Sequence, residues 1–211
     1  FNFCGIGDGL TPTSTQTISV ANQSTASNIN FNITPPVSPI NSKTYVKLIN
    51  QQFTLGANSK FTVDGNGILD FGFDVSNNAL YVAGNSFESK TGSTLKITSL
   101  DGITTTSTPL VGNVRTSTRT FASDASYEYI GNSSPQKTGN ALPSSVRNLV
   151  INNTATNADV VLTNDVIVTS SLTMTQGNIN GITNTKTITL GTSALNTGTL
   201  LPTTPTGFVK G

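Results

Sequence analysis

The feature that most constrains this chain is a series of short runs in which apolar residues sit two apart, each closed by a turn residue. Residues spaced by two share one face of a β-strand. From Phe53 the runs are led by Phe53, Phe61, Leu69, Leu80, Phe87 and Leu95, separated by steps of 8, 8, 11, 7 and 8. Taken three at a time, Phe53 to Leu80 spans 27 residues, Phe61 to Phe87 spans 26, and Leu69 to Leu95 spans 26. The later half keeps the theme with a shorter step: Leu149 to Leu172 is 23 residues, and Val166 to Ile188 is 22. A period of 20 to 30 without helical patterning predicts an all-β chain wound as a three-sided parallel β-helix, or solenoid. One coil cannot cover its own inward face. Stacked coils lay Phe over Phe and Val over Leu, and each buried side chain contributes roughly 1.5–3 kcal/mol.

A pair of β-sandwiches is the competing architecture, since short strands at 8–12-residue spacing mark sandwiches too. Turn chemistry weighs against it. Asp64-Gly65, Asn66-Gly67, Asp101-Gly102 and Asn180-Gly181 are two-residue turn pairs, but many corners are a single Gly or Gly-Asn, too abrupt for long Greek-key returns. The expected organisation is an N-terminal cap or irregular first coils over 1–50, coils over 51–103, a loop or hairpin excursion over 104–145, and further coils over 146–211. The first part holds a Thr/Ser/Gln tract and a proline-rich corner at Pro35, Pro36 and Pro39, beside alternating Ile29, Phe31 and Ile33. A cap there would cover the open end that such stacks must hide. The excursion is more polar, with Pro135 and Pro143, and carries Tyr127-Glu128-Tyr129-Ile130.

Composition narrows the function. Only 10% of residues are charged, against about 25% in ordinary soluble domains. The polar surface is therefore Thr, Ser, Asn and Gly, which suits strands and turns. Eleven Lys and Arg scattered singly, with a net charge of +1, form no stripe for phosphates, so no nucleic-acid partner is expected. No apolar run approaches the roughly 18 residues of a membrane span. A low-charge, Cys-poor, Thr/Asn-rich chain is expected in the secreted or cell-surface class. Phe1-Asn2-Phe3 lacks the basic and apolar parts of a leader, so the segment is expected to be a processed or internal piece.

Two stretches carry a resemblance. One is Asn66-Gly67-Ile68-Leu69-Asp70-Phe71-Gly72 followed by Ser93-Thr94-Leu95-Lys96-Ile97 and Asp101-Gly102-Ile103. The other runs from Thr120 to Gly131, then Leu142-Pro143 and Asn148-Leu149-Val150-Ile151-Asn152-Asn153. Together they resemble the repetitive, adhesin-like surface proteins of Bacteroidetes exported by type IX secretion. The likeness is one of repeat texture over roughly 53–211, without the sorting domain that ends such proteins. It implies a β-solenoid stalk at the cell surface or in the extracellular matrix, and no defined chemistry.

Side chains able to do chemistry are sparse. Without His no Ser-His-Asp or Cys-His arrangement can form, and Cys4 reads as incidental. Polysaccharide-cleaving β-helices cluster acids on one outer face, for proton transfer or calcium. Asp64, Asp70 and Asp74 are the only such cluster, and turn and surface roles account for them more simply. Calcium is the one cofactor weighed. Tyr81, Tyr127 and Tyr129 are candidates for stacking on a glycan, with packing of the excursion onto the coil as the plainer account. Thr173/Thr175 and Thr187/Thr189, 14 residues apart, do not fit a coil of about 22 and are not expected to form one flat ladder. The leading expectation is a non-enzymatic stalk or binding surface whose partners are glycans or surface proteins. An end-to-end filament subunit and a carbohydrate-active β-helix enzyme are the alternatives.

Overall fold

In the computed structural model, residues 2–4, 15–19, 27–35, 43–191, 199–202 and 209–210 are described. The stack opens with β1 (Asn2–Cys4), β2 (Thr15–Ser19), β3 (Asn30–Thr34) and β4 (Thr44–Ile49). It continues through β5 (Phe53–Thr54), β6 (Lys60–Val63), β7 (Gly67–Asp70), β8 (Val82–Ser89), β9 (Thr94–Ile97) and β10 (Val114–Phe121). Then come β11 (Ser126–Tyr129), β12 (Gln136–Lys137), β13 (Ser145–Asn152), β14 (Asp159–Val161), β15 (Val166–Gln176) and β16 (Asn178–Asn180). A 3-10 turn at Ile182–Asn184 precedes β17 (Ile188–Leu190), β18 (Thr199–Pro202) and β19 (Val209–Lys210). The named strands pair in parallel, giving a β-solenoid of about six turns. No pair of facing antiparallel sheets forms among them, so the sandwich alternative falls.

Three sheets make the walls. The first runs β1-β3-β6-β8-β10, with β5 also on β8. The second runs β2-β4-β7-β9-β11-β13-β15-β17, with β18 also on β15. The third, β12-β14-β16-β19, is found only in the later coils among the described residues. Most registers follow the sequence period. Phe61 lies on Phe87, Leu69 on Leu95, Leu149 on Leu172 and Val166 on Ile188. Phe53 is offset by one pleat repeat from its expected partner Leu80 and pairs with Val82.

The inward side chains form columns. Val46, Leu69, Leu95, Tyr127, Leu149 and Leu172 succeed one another in register, all buried. Beside them Phe31, Phe61 and Phe87 stack nearly parallel at 6.3 and 6.0 Å between ring centres. Phe121 tops the column at 5.9 Å, and Phe53 meets Phe31 and Phe61 edge-on at 4.8 and 5.6 Å. Such offset and edge contacts add about 0.5–1.5 kcal/mol beyond area burial.

Coil length changes sharply where Leu95 pairs with Tyr127, 32 residues on. The extra length is taken up by a loop. The chain passes Ile103, leaves the stack, makes an antiparallel bridge between Ser107 and Leu110, and returns at Asn113. The excursion expected over 104–145 is therefore much shorter. Val114–Phe121, Ser126–Tyr129 and Gln136–Lys137 inside that range are coil strands in register with their neighbours. The insertion hid them by breaking the period.

Fully buried amide side chains fasten the corners around this irregular coil. Asn113 Nδ2 donates to Leu80 O at 2.6 Å and to Thr98 Oγ1 at 2.9 Å, while its Oδ1 accepts from the Thr98 and Ser99 amides. Gln136 Nε2 donates to Ile97 O and Ser99 O, and its Oε1 accepts from Gly131 N and Asn153 Nδ2. Each bridges successive coils and meets backbone groups at the corners, among them the Leu80 carbonyl and the Thr98, Ser99 and Gly131 amides. At Gly139, φ is +83°, and a Cβ would stand 2.0 Å from Ile103 O.

Strand β10 is the terminal strand of the first sheet, in the middle of the stack. Because Val82 N bonds Asn113 O, the parallel register turns the Val114, Thr116 and Thr118 backbone groups away from β8. Arg119 NH1 donates to Val114 O and Thr104 O, and Thr116 Oγ1 donates to Thr118 O. The edge thus has part of its carbonyl row occupied by its own side chains, one of the ways sheets avoid strand addition. Replacing Arg119 and Thr116 together (R119A/T116V) is expected to give more concentration-dependent oligomer than the wild type, measured by light scattering. Phe61→Ala is expected to cost about 3–5 kcal/mol in denaturant unfolding.

Candidate functional site

The outward positions show what this surface can do. On the second sheet, Lys47, Asp70, Lys96 and Glu128 lie one above another, alternating in sign coil by coil. Lys96 Nζ reaches Glu128 Oε2 at 3.0 Å and stands 5.7 Å over the Tyr45 ring. The Tyr45 hydroxyl donates to Asp70 Oδ2. Burial first, and then that carboxylate, hold the Tyr45 phenol well above the ordinary tyrosine value. One ladder over, Asn148 Nδ2 donates to Ser126 Oγ at 2.9 Å, and Ser171 Oγ donates to Asn148 Oδ1 at 2.7 Å.

The same use recurs elsewhere. Lys60 pairs with Glu88 at 2.6 Å, Lys90 with Asp64 at 2.7 Å and Lys137 with Asp101 at 3.2 Å, each across neighbouring coils. Asp159 accepts from Asn178 and Asn180 Nδ2, both at 3.0 Å, and Asp165 accepts from Thr187 N and Oγ1. Those two bonds hold the Asp165 carboxyl below its usual range. Exposed pairs of this kind are worth at most about 1 kcal/mol each. Their effect is to set register, since a slip of one residue would turn one charged partner toward the apolar inward face.

The acidic cluster drawn from the sequence is dispersed by the fold. Asp64 is an ion-pair partner of Lys90. Asp70, outward by alternation, is nonetheless buried under Tyr45 and accepts from Gly72 N at 2.8 Å. Asp74 closes its own loop by accepting from Ser76 N, Asn78 N and Asn78 Nδ2, and the Asn78 bonds lower its pKa. Among the described residues no three His, Cys, Asp or Glu side chains gather as metal ligands. A calcium site at Asp64, Asp70 and Asp74 is not supported.

For two of the three tyrosines glycan stacking gives way to packing, the plainer account. Tyr127 and Tyr129 are fully buried in the column of the second sheet, because their strand is a coil strand and not part of a stand-off hairpin. Tyr127 OH donates to Ala122 O at 2.7 Å and Tyr129 OH to Thr138 O at 2.8 Å. Burial pushes both phenols well above the ordinary value. Neither ring is available to a glycan. Tyr81 is half-buried on the outside, with the Arg115 guanidinium 3.8 Å above its ring. Thr173 pairs with Val150 and Leu201, and Thr189 with Ile167, so the threonines occupy separate ladders. Cys4 lies opposite Thr34 in β1.

Sequence reading missed the corner beside Tyr81. After Asp70, Gly72 turns with φ +59°, and a loop closes through a Phe73–Ala79 bridge. Between this loop and the coils above lies a cleft of about 300 Å³ that includes Thr98, Leu100, Arg115 and Asn132. The only sequence trace of it was Tyr81 itself.

No protein-family model, curated protein or solved structure matches the chain. No helix among the described residues is long and apolar enough to cross a membrane.

Because the raised Tyr127 and Tyr129 values favour the neutral phenols only in the folded state, their contribution is complete below the unfolded value of 10.0 and is lost as pH rises beyond it. Chemical denaturation is expected to show stability falling above pH 10, less steeply in Tyr129→Phe.

Proposed function

We propose that this chain is a non-enzymatic stalk segment of a secreted or cell-surface protein, holding a presented surface at a fixed distance. The observation that carries the reading is where the carboxylates go. Asp64, Asp70, Glu88, Asp101, Glu128, Asp159 and Asp165 are all spent on partners in neighbouring coils or turns. Their role is cohesion, which suits a body that must stay rigid. A coil rises about 4.8 Å, so about six turns reach roughly 30 Å and further copies would extend it in proportion. The resemblance of its repeat texture to type IX-exported adhesin-like proteins of Bacteroidetes is our reason for an extracellular setting.

Two measurements test the proposal. Purified protein incubated with neutral and acidic polysaccharides, with and without calcium, is expected to release no reducing ends or unsaturated products. Steady release by the wild type, lost with an acid-to-amide substitution, would replace the stalk with an enzyme. Negative-stain microscopy is expected to show separate short particles, whereas end-to-end threads would make the chain a filament subunit.

A further inference from the structure

The cleft beside Tyr81 has a chemistry that the stacking of coils does not account for. Among the residues lining it, including Asn77, Asn78, Ser99, Leu100, Asn132 and Ser133, Arg115 is the only charged one. Its Nε is anchored to Gly112 O at 3.0 Å and its plane rests on the Tyr81 ring. Among the described residues its two terminal nitrogens take no partner. The chain's other arginine in β10, Arg119, instead spends its terminal nitrogens on three backbone carbonyls. Asp74 and Asp101, the acids beside the lining residues Asn77 and Leu100 in sequence, are engaged elsewhere, Asp74 by its own loop and Asp101 by Lys137. A guanidinium fixed by stacking, with its fork unclaimed, matches a planar carboxylate in two parallel hydrogen bonds.

The remaining lining narrows the ligand. Asparagine and serine side chains offer amide and hydroxyl groups for an array of hydroxyls, and Leu100, about half exposed, offers an apolar face at the same place. Phe73 and Ala79 join Leu100 in the apolar part of the lining, and apolar surface with a few convergent polar groups in a concave site is what small ligands bind. We infer that this cleft binds a carboxylate-bearing sugar, a uronate or sialate unit, with Arg115 on the carboxylate and the asparagine side chains on the hydroxyls. The stalk reading does not depend on it: a rigid segment can carry such a site or lack it.

The test uses the intact chain and three probes: oligogalacturonate, oligoglucuronate and sialyllactose, with methyl-esterified, uncharged oligogalacturonate as the control. In 1H–15N spectra, at least one acidic probe is expected to give saturable shifts at Asn77, Asn78, Ser99, Leu100, Asn132 and Ser133, and the ester none. Arg115→Ala is expected to weaken binding by about tenfold or more, the range of a hydrogen bond to a charged group. Asn132→Trp, at an exposed rim position, is expected to block it as well while leaving Arg115 and Tyr81 in place. That variant decides the matter if Arg115→Ala fails to fold. No saturable shift with any acidic probe, equal binding of the ester, or wild-type affinity in Asn132→Trp or a folded Arg115→Ala would overturn the assignment and leave the stalk proposal untouched.

Discussion

Everything in this molecule depends on a coil being unable to bury its inner face except against the next coil. A lone turn of three short strands exposes its Phe, Leu and Val side chains to water, and only repetition in register covers them. The columns Phe31–Phe61–Phe87 and Val46–Leu69–Leu95–Tyr127–Leu149–Leu172 are that requirement made visible. Parallel pairing follows from it, since a chain winding one way presents each wall in the same direction every turn.

Such a stack tolerates irregularity only where the backbone groups it strands are met by something else. The coil between Leu95 and Tyr127 is the long one; Asn113 sits fully buried within it, Gln136 reaches back to it from the next coil at Ile97 O and Ser99 O, and the buried Asn153 holds Gln136. An amide side chain both donates and accepts, so one residue can close a gap on each of two coils. Their cost if removed is that of orphaned carbonyls and amides in the interior, not of the side chain alone. Charged residues do related work on the outside. With few of them available, seven of the nine acids among the described residues bridge to another coil, and those bridges discriminate register more than they add stability.

Economy of charge also bears on function. On a surface made of Thr, Ser and Asn, most of the described carboxylates serve cohesion between coils. Arg115 stands apart from this pattern, because its ring stacking positions it without neutralising it.

The sequence by itself determined that the chain would be strands throughout, that Phe61 would lie over Phe87 and Leu69 over Leu95, and that the later coils would be shorter. These are local facts: alternation fixes the inward face, and the step between like residues fixes the coil length. It could not determine which face a residue outside the regular period would take. The Thr104–Val111 loop broke the count, so Tyr127 and Tyr129 fell within an expected hairpin packed on the coil and are instead part of the coil core. Asp70 looked like an exposed acid by alternation, and is covered because Tyr45, 25 residues earlier, lies across it. Only the tertiary structure decided these, because burial on the outer wall is set by what the neighbouring coil places there, and that neighbour is distant in sequence by an amount the insertion changed.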